Sequence, residues 1–159
     1  AAILEPAREA GIPIFFTTFG SDPAEPVTPF DMKIGGAHQA FDPEDLKELE
    51  IDARLARRPN ERIIYKRYAS CFKGTNFHEN LAALKVDTLI VTGVSTSHCV
   101  YATCRDAVDS YRVIVPREAV GERCELMHEV NLLDIEFELA DVIPSTEVVK
   151  HLAGLIASR

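Results

Sequence analysis

"DTLIVTGVSTSHCVYATCRDAV", Asp87 to Val108, holds a strand, a helix and a cysteine at the joint between them. The run from Thr88 to Gly93 is apolar and β-branched, as expected of a strand buried on both faces in a parallel sheet. Ser95, Thr96 and Ser97 offer N-cap side chains, and Val100, Thr103, Cys104 and Ala107 recur at helical spacing, which predicts a helix over 97–110. Cys99 then lies in or near the first helical turn. Unpaired backbone N–H groups and the positive end of the helix dipole favour a thiolate there, and the same N–H groups can hold an oxyanion. A cysteine packed as a small hydrophobe fits the segment as well, and position alone does not choose between the two readings.

Outward from this joint, strands are expected over 12–18, 62–66, 88–93, 112–115 and 141–143. Helices are expected over 77–84, 97–110, 125–139 and 145–157, the last with Ser145 or Thr146 as its cap. The opening "AAILEPAREAG" reads as the second half of a helix closed by Gly11. Alternating strands and helices predict right-handed crossovers: a three-layer α/β/α domain around a mostly parallel, doubly wound sheet. From Phe19 to Pro59 this rhythm stops, with Pro23, Pro26, Pro29, Pro43, Pro59, Gly35 and Gly36 and no clear period. Loops of that length in a compact domain usually contribute to sites or interfaces.

The chain has 159 residues and is 47% hydrophobic, enough for one core and too short for two ordinary domains, so 1–159 is read as a single domain. A net charge of −8 and a pI near 5.1 argue against a nucleic-acid or anionic-membrane surface and leave a small molecule as the expected partner. No apolar run approaches the ~20 residues that cross a bilayer. Cys71, Cys99, Cys104 and Cys124 show neither the density of a disulfide scaffold nor a C-x-x-C zinc pattern, so a cytoplasmic protein with reduced thiols is expected.

A second segment, "ERIIYKRYASCFKGTNF", places Lys66 at the end of another short apolar strand, where open α/β sheets build their sites. Lys66, Tyr68, Ser70, Phe72, Gly74 and Thr75, followed by Gly93, Val94, Thr96, Cys99 and Val100, resemble the cysteine hydrolases of the isochorismatase-like superfamily. Lys66 and Cys99 are 33 residues apart, room for one helix and one strand. The later run "VPREAVGERCELMHEVNLLDIEFELADVI" looks most like the N-carbamoylsarcosine amidase and maleamate amidase branch.

This resemblance implies an amidohydrolase that cleaves a C–N bond of a small carboxylated amide or N-carbamoyl compound and releases ammonia through a thioester on Cys99. Lys66 would hold charge beside the sulfur, and the backbone amides of Ser95 and Cys99 would form the oxyanion hole after a cis peptide between Val94 and Ser95. It also implies that the family's first, central strand and its proton-shuttling aspartate precede the first residue here, so an N-terminally truncated chain with a gap in its sheet is expected. Relatives assemble as homodimers or homotetramers. Thr96 and Arg123 are candidate substrate ligands, with Arg117 a weaker one; a bidentate arginine suits a carboxylate, although a surface ion pair is the commoner use for either arginine. His98 is expected to point outward and His128 to be structural. His38 has no D-x-H partner pattern of the kind nicotinamidase-like relatives use, so no metal and no cofactor are expected. The alternatives are a nicotinamidase or other family hydrolase, or an inactive fragment that keeps only a binding or oligomer interface.

Overall fold

Gly11 closes the first helix as its sequence predicts. Helix α1 (Leu4–Glu9) is followed by Gly11 at φ +68°, with the Ile12 N–H donating to the Ala7 carbonyl at 2.9 Å and the Gly11 N–H to the Arg8 carbonyl at 3.0 Å. That pair of bonds is a Schellman closure. It occupies the Ile12 amide, and Pro13 has none to offer, so the strand expected from residue 12 begins only at Phe15. The computed structural model of the chain describes residues 2–20, 26–33 and 50–157.

Strand β1 (Phe15–Phe19) runs parallel to β2 (Arg62–Lys66), with Phe15 opposite Arg62 and Phe19 opposite Lys66. A second parallel ladder has the order β3 (Thr88–Ile90), β5 (Arg112–Pro116), β7 (Asp141–Ile143). The strand expected over 88–93 breaks in two, because Gly93 takes φ +112°, a conformation open to glycine without strain. Gly93 and Val94 then form β4, a short strand paired with β6 (Val120–Gly121). Among the described residues, β1–β2 and β3–β5–β7 share no hydrogen-bonded strand pair.

Side chains alternate across β5 and define the layers. Val113 and Val115 face a core shared with Ile64 of β2, Leu81 of α3 (Phe77–Ala83), Cys104 of α4 (Tyr101–Ala107), and Leu132 and Ile135 of α5 (Glu125–Glu138). Ile114, with Ile14, Ile90 and Ile143, lies on the other side against Ala7 and Ala10 at α1 and Val148 and Leu152 of α6 (Ser145–Ala157). The result is the expected three-layer α/β arrangement with parallel strands. Glu61, just before β2, is locked to α1 by Arg8, whose Nε and Nη2 reach its two carboxylate oxygens at 2.6 and 2.9 Å.

Helix α5 buries Leu132 and Ile135, 1% and 0% exposed, and leaves Leu126, Val130, Leu133 and Phe137 exposed. Ile135→Ala should therefore cost about 2 to 5 kcal/mol, the lost transfer energy plus a cavity beneath β5. Chemical denaturation should show the midpoint falling with an unchanged slope; an unchanged midpoint would mean that α5 contributes little to the core. Among the described residues, no helix is long and apolar enough to cross a membrane.

Candidate active site

Strand β2 ends at Lys66, which is 3% exposed, and the turn after β4 carries Cys99 to the same place. The Lys66 Nζ lies 3.2 Å from the Cys99 Sγ, 3.1 Å from the Tyr68 carbonyl and 3.0 Å from the Ala69 carbonyl. An ammonium has three protons, and here three acceptors meet them, one of which is the sulfur. The Phe19 ring, opposite Lys66 in the β1–β2 register, places its face 4.0 Å from Nζ. Lysine is held in this apolar surround by two carbonyls, one sulfur and one aromatic face.

Cys99 sits in a wide turn, Thr96–Val100, that precedes α4. The Ser95 carbonyl accepts from the N–H groups of both His98 and Val100, each at 3.1 Å. The second is an i to i+5 bond of π-helical type, and the pair passes over the Cys99 amide between them. The Val94–Ser95 peptide is cis. The His98 ring, instead of pointing outward, brings Nδ1 to 3.5 Å from the Cys99 Sγ and stacks on Phe30 of the short helix α2 (Pro29–Lys33), with centroids 5.4 Å apart and planes 16° apart.

The expected local caps are absent: Ser95 makes no capping side-chain bond. A carboxylate from elsewhere does that work. Glu122, directly after β6 and with no exposed side-chain surface, accepts from both the backbone N–H and the hydroxyl of Ser97, and from the Arg123 N–H at 2.9 Å. Helix α6 uses the same device, its Ser145 N–H donating to Glu118 at 2.7 Å. Carboxylates at helix starts are matched to the unpaired N–H groups there. The side-chain and backbone bonds from Ser97 hold the Glu122 carboxyl down at about 2. Because the folded value lies below the ordinary carboxylate value of 4.5, the stabilisation is present above pH 4.5 and is lost as the pH falls from there through about 2. Glu122→Gln should lower the melting temperature by several degrees at pH 7, by less at pH 3, and by almost nothing near pH 2. A difference independent of pH would show that the ionised carboxylate is not what holds the turn.

The structure puts two of the expected substrate ligands to other uses. Thr96 is fully buried, its hydroxyl 3.1 Å from the Gly121 carbonyl and 2.9 Å from the His128 Nδ1. With the hydroxyl donating to Gly121, His128 donates from Nδ1, so Thr96 is a tie between the cysteine turn, β6 and α5. Arg123 projects its side chain 75% into solvent, 4.0 Å from Glu122, and Arg117 forms a half-exposed pair with Glu129. Glu122 had no signal that local reading could use, since its partner is 25 residues away.

The other cysteines differ from Cys99. Burial pushes the Cys71 thiol up to about 11 and the Cys104 thiol to about 12, while Cys124 is exposed. His38 lies outside the described residues. Among the described residues, no group of three or more His, Cys, Asp and Glu side chains is placed to hold a metal ion.

A model of the isochorismatase domain matches residues 1–147. The chain is 35% identical to N-carbamoylsarcosine amidase of Arthrobacter sp over 157 residues, which cover 96% of this chain and 60% of that protein. It is 39% identical to maleamate amidohydrolase of Pseudomonas putida over 104 residues, covering 63% of this chain and 49% of that one. The chain thus spans about half to three-fifths of the length of these curated relatives. Among solved structures, a cysteine hydrolase from Pseudomonas syringae pv. phaseolicola superposes with a TM-score of 0.86 over 97% of this chain and 78% of its own, at 23% identity.

Proposed function

The chain belongs to the isochorismatase family, and we propose that it is a cysteine amidohydrolase acting on a small amide or N-carbamoyl compound. The observation that carries this reading is the Lys66 Nζ 3.2 Å from the Cys99 Sγ, with two backbone carbonyls engaging its other protons. An ammonium so held stabilises negative charge on sulfur. The thiolate attacks the amide carbonyl carbon, and the carbonyl oxygen becomes an oxyanion held by the amides of Ser95 and Cys99. The tetrahedral adduct breaks its C–N bond, the nitrogen leaves as ammonia with the proton that the thiol gave up, and water hydrolyses the thioester to a carboxylic or carbamic acid, returning its second proton to the Cys99 sulfur.

The names of the two amidase relatives point to a carboxylated substrate, whereas exposed Arg123 gives no independent support for a carboxylate clamp. A homodimer or homotetramer in a reducing, cytoplasmic setting completes the proposal; the exposed apolar face of α5 is the surface suited to assembly.

The test is ammonia release from a panel of carboxylated amides, ureido acids and nicotinamide, using the protein as its cell makes it, with acid-quenched samples searched for an acyl adduct. Release with an adduct on the Cys99 peptide is expected, and the panel names the substrate class. Release without that adduct would remove the thioester mechanism. No release from folded protein would leave a binding or interface role.

A further inference from the structure

Lys66 and Cys99 reach each other from strands that belong to different ladders. Lys66 ends β2, which pairs with β1, and the cysteine turn follows β4, which pairs with β6. Among the described residues no strand pair joins these two ladders, so no register fixes the 3.2 Å between Nζ and Sγ. That distance is left to the contacts that anchor the turn. Glu122 holds Ser97, and Thr96 is bonded to both the Gly121 carbonyl and His128 of α5.

The bonds at Thr96 exceed what its burial requires. Its hydroxyl is 0% exposed and already has an acceptor in Gly121 at 3.1 Å, which satisfies its one proton. The His128 Nδ1–H adds a second bond at 2.9 Å, from the helix face that also buries Leu132 and Ile135. A β-branched side chain is stiff at χ1, so two bonds that fix its hydroxyl also fix the backbone that opens the turn. Cys99 lies in that same turn.

We propose that His128 is a positioning residue for the reaction: through the Thr96 hydroxyl, its Nδ1–H holds the turn where the Cys99 sulfur meets the Lys66 ammonium. This rests on the reading of Cys99 as the nucleophile, and the test separates the two.

The rate of Cys99 alkylation by iodoacetamide at pH 7 is followed by peptide mass spectrometry in the full protein, with free glutathione in the same reaction as reference and the melting temperature measured alongside. His128→Leu removes the donor, and Thr96→Val removes the hydroxyl while keeping the branched shape. His128→Asn places an amide N–H as many bonds from the backbone as Nδ1, whereas His128→Gln carries it one carbon too far. His128→Leu, His128→Gln and Thr96→Val should each slow Cys99 alkylation about tenfold, because the sulfur loses its alignment with the ammonium. His128→Asn should stay within about threefold of the unaltered protein, and Thr96→Val with His128→Leu should be no slower than either alone, since the two residues act as one unit. Rates within about twofold of the unaltered protein in Thr96→Val or in a folded His128→Leu, equal slowing by Asn and Leu, or a double variant slowed by the product of the two would each overturn the proposal. If His128→Leu does not fold, Thr96→Val against His128→Asn decides on the same terms. If Cys99 of the unaltered protein reacts no faster than glutathione, the nucleophile reading fails and this one with it; a fast Cys99 that no variant slows removes only the role of His128.

Discussion

Cys99→Ala should reduce amide hydrolysis by about 10⁵-fold or more, to the level of the uncatalysed reaction and binding alone. The size of the loss follows from the absence of a substitute. Cys71 and Cys104 are 4% and 0% exposed, and burial pushes their thiols up to about 11 and 12, so neither ionises near neutrality. Cys124 is exposed, but it stands at the start of α5 and makes no bond to Lys66. Serine would not rescue the activity, because a hydroxyl is a much weaker nucleophile than a thiol and needs a stronger base to activate it. The fold should survive: the lost atom is one sulfur at a half-buried position, and Lys66 retains its two carbonyls. Ammonia release measured beside the melting temperature tests both halves. Activity within tenfold of the unaltered protein would remove Cys99 from the chemistry, and a large fall in melting temperature would make the loss uninformative.

Where chemistry depends on a strand end, local sequence was a good guide. An apolar run must stop where its side chains leave the core, so Lys66 after "RIIY" and Cys99 after "TLIVTGV" could be placed at the sheet's C-terminal edge from pattern alone. The Schellman closure at Gly11 was equally legible, because only a residue at ease with positive φ fits there. The supporting contacts were not. Glu122 and Glu118 cap helices from another part of the chain, while Ser95, Thr96 and Ser97 look locally like good caps; the fold chose the longer-range carboxylates. Thr96 lay in the right segment for a substrate contact, but the wide turn rolls its hydroxyl inward to Gly121 and His128. His98 shows the same effect in reverse: in the wide turn its ring meets Cys99 and Phe30 instead of solvent. Period and capping rules assume 3.6 residues per turn, and Thr96–Val100 departs from that.

Lys66→Met is expected to lower kcat/KM by about 10³-fold while leaving a folded protein. Methionine nearly matches the length of the lysine stem and preserves contact with the Phe19 ring, so packing changes little. What disappears is the positive charge 3.2 Å from the Cys99 Sγ. Two opposed effects on stability partly offset: the Tyr68 and Ala69 carbonyls lose their donor, but a charge that is 3% exposed no longer has to be kept from water. The catalytic effect has no such offset, since attack and thioester breakdown both pass through negative charge on the sulfur. Lys66→Arg should not restore activity either. A planar guanidinium is longer and cannot direct three protons at two adjacent carbonyls and a sulfur in the space an ammonium fills. The discriminating measurement is Cys99 alkylation at pH 7 beside kcat/KM in the three proteins: if Lys66→Met alkylates as fast as the unaltered protein but hydrolyses slowly, the lysine acts on the substrate and not on the sulfur. If both rates fall together, as expected, the ammonium works through Cys99, and the short Nζ to Sγ approach is the reason that strand end and turn are brought together.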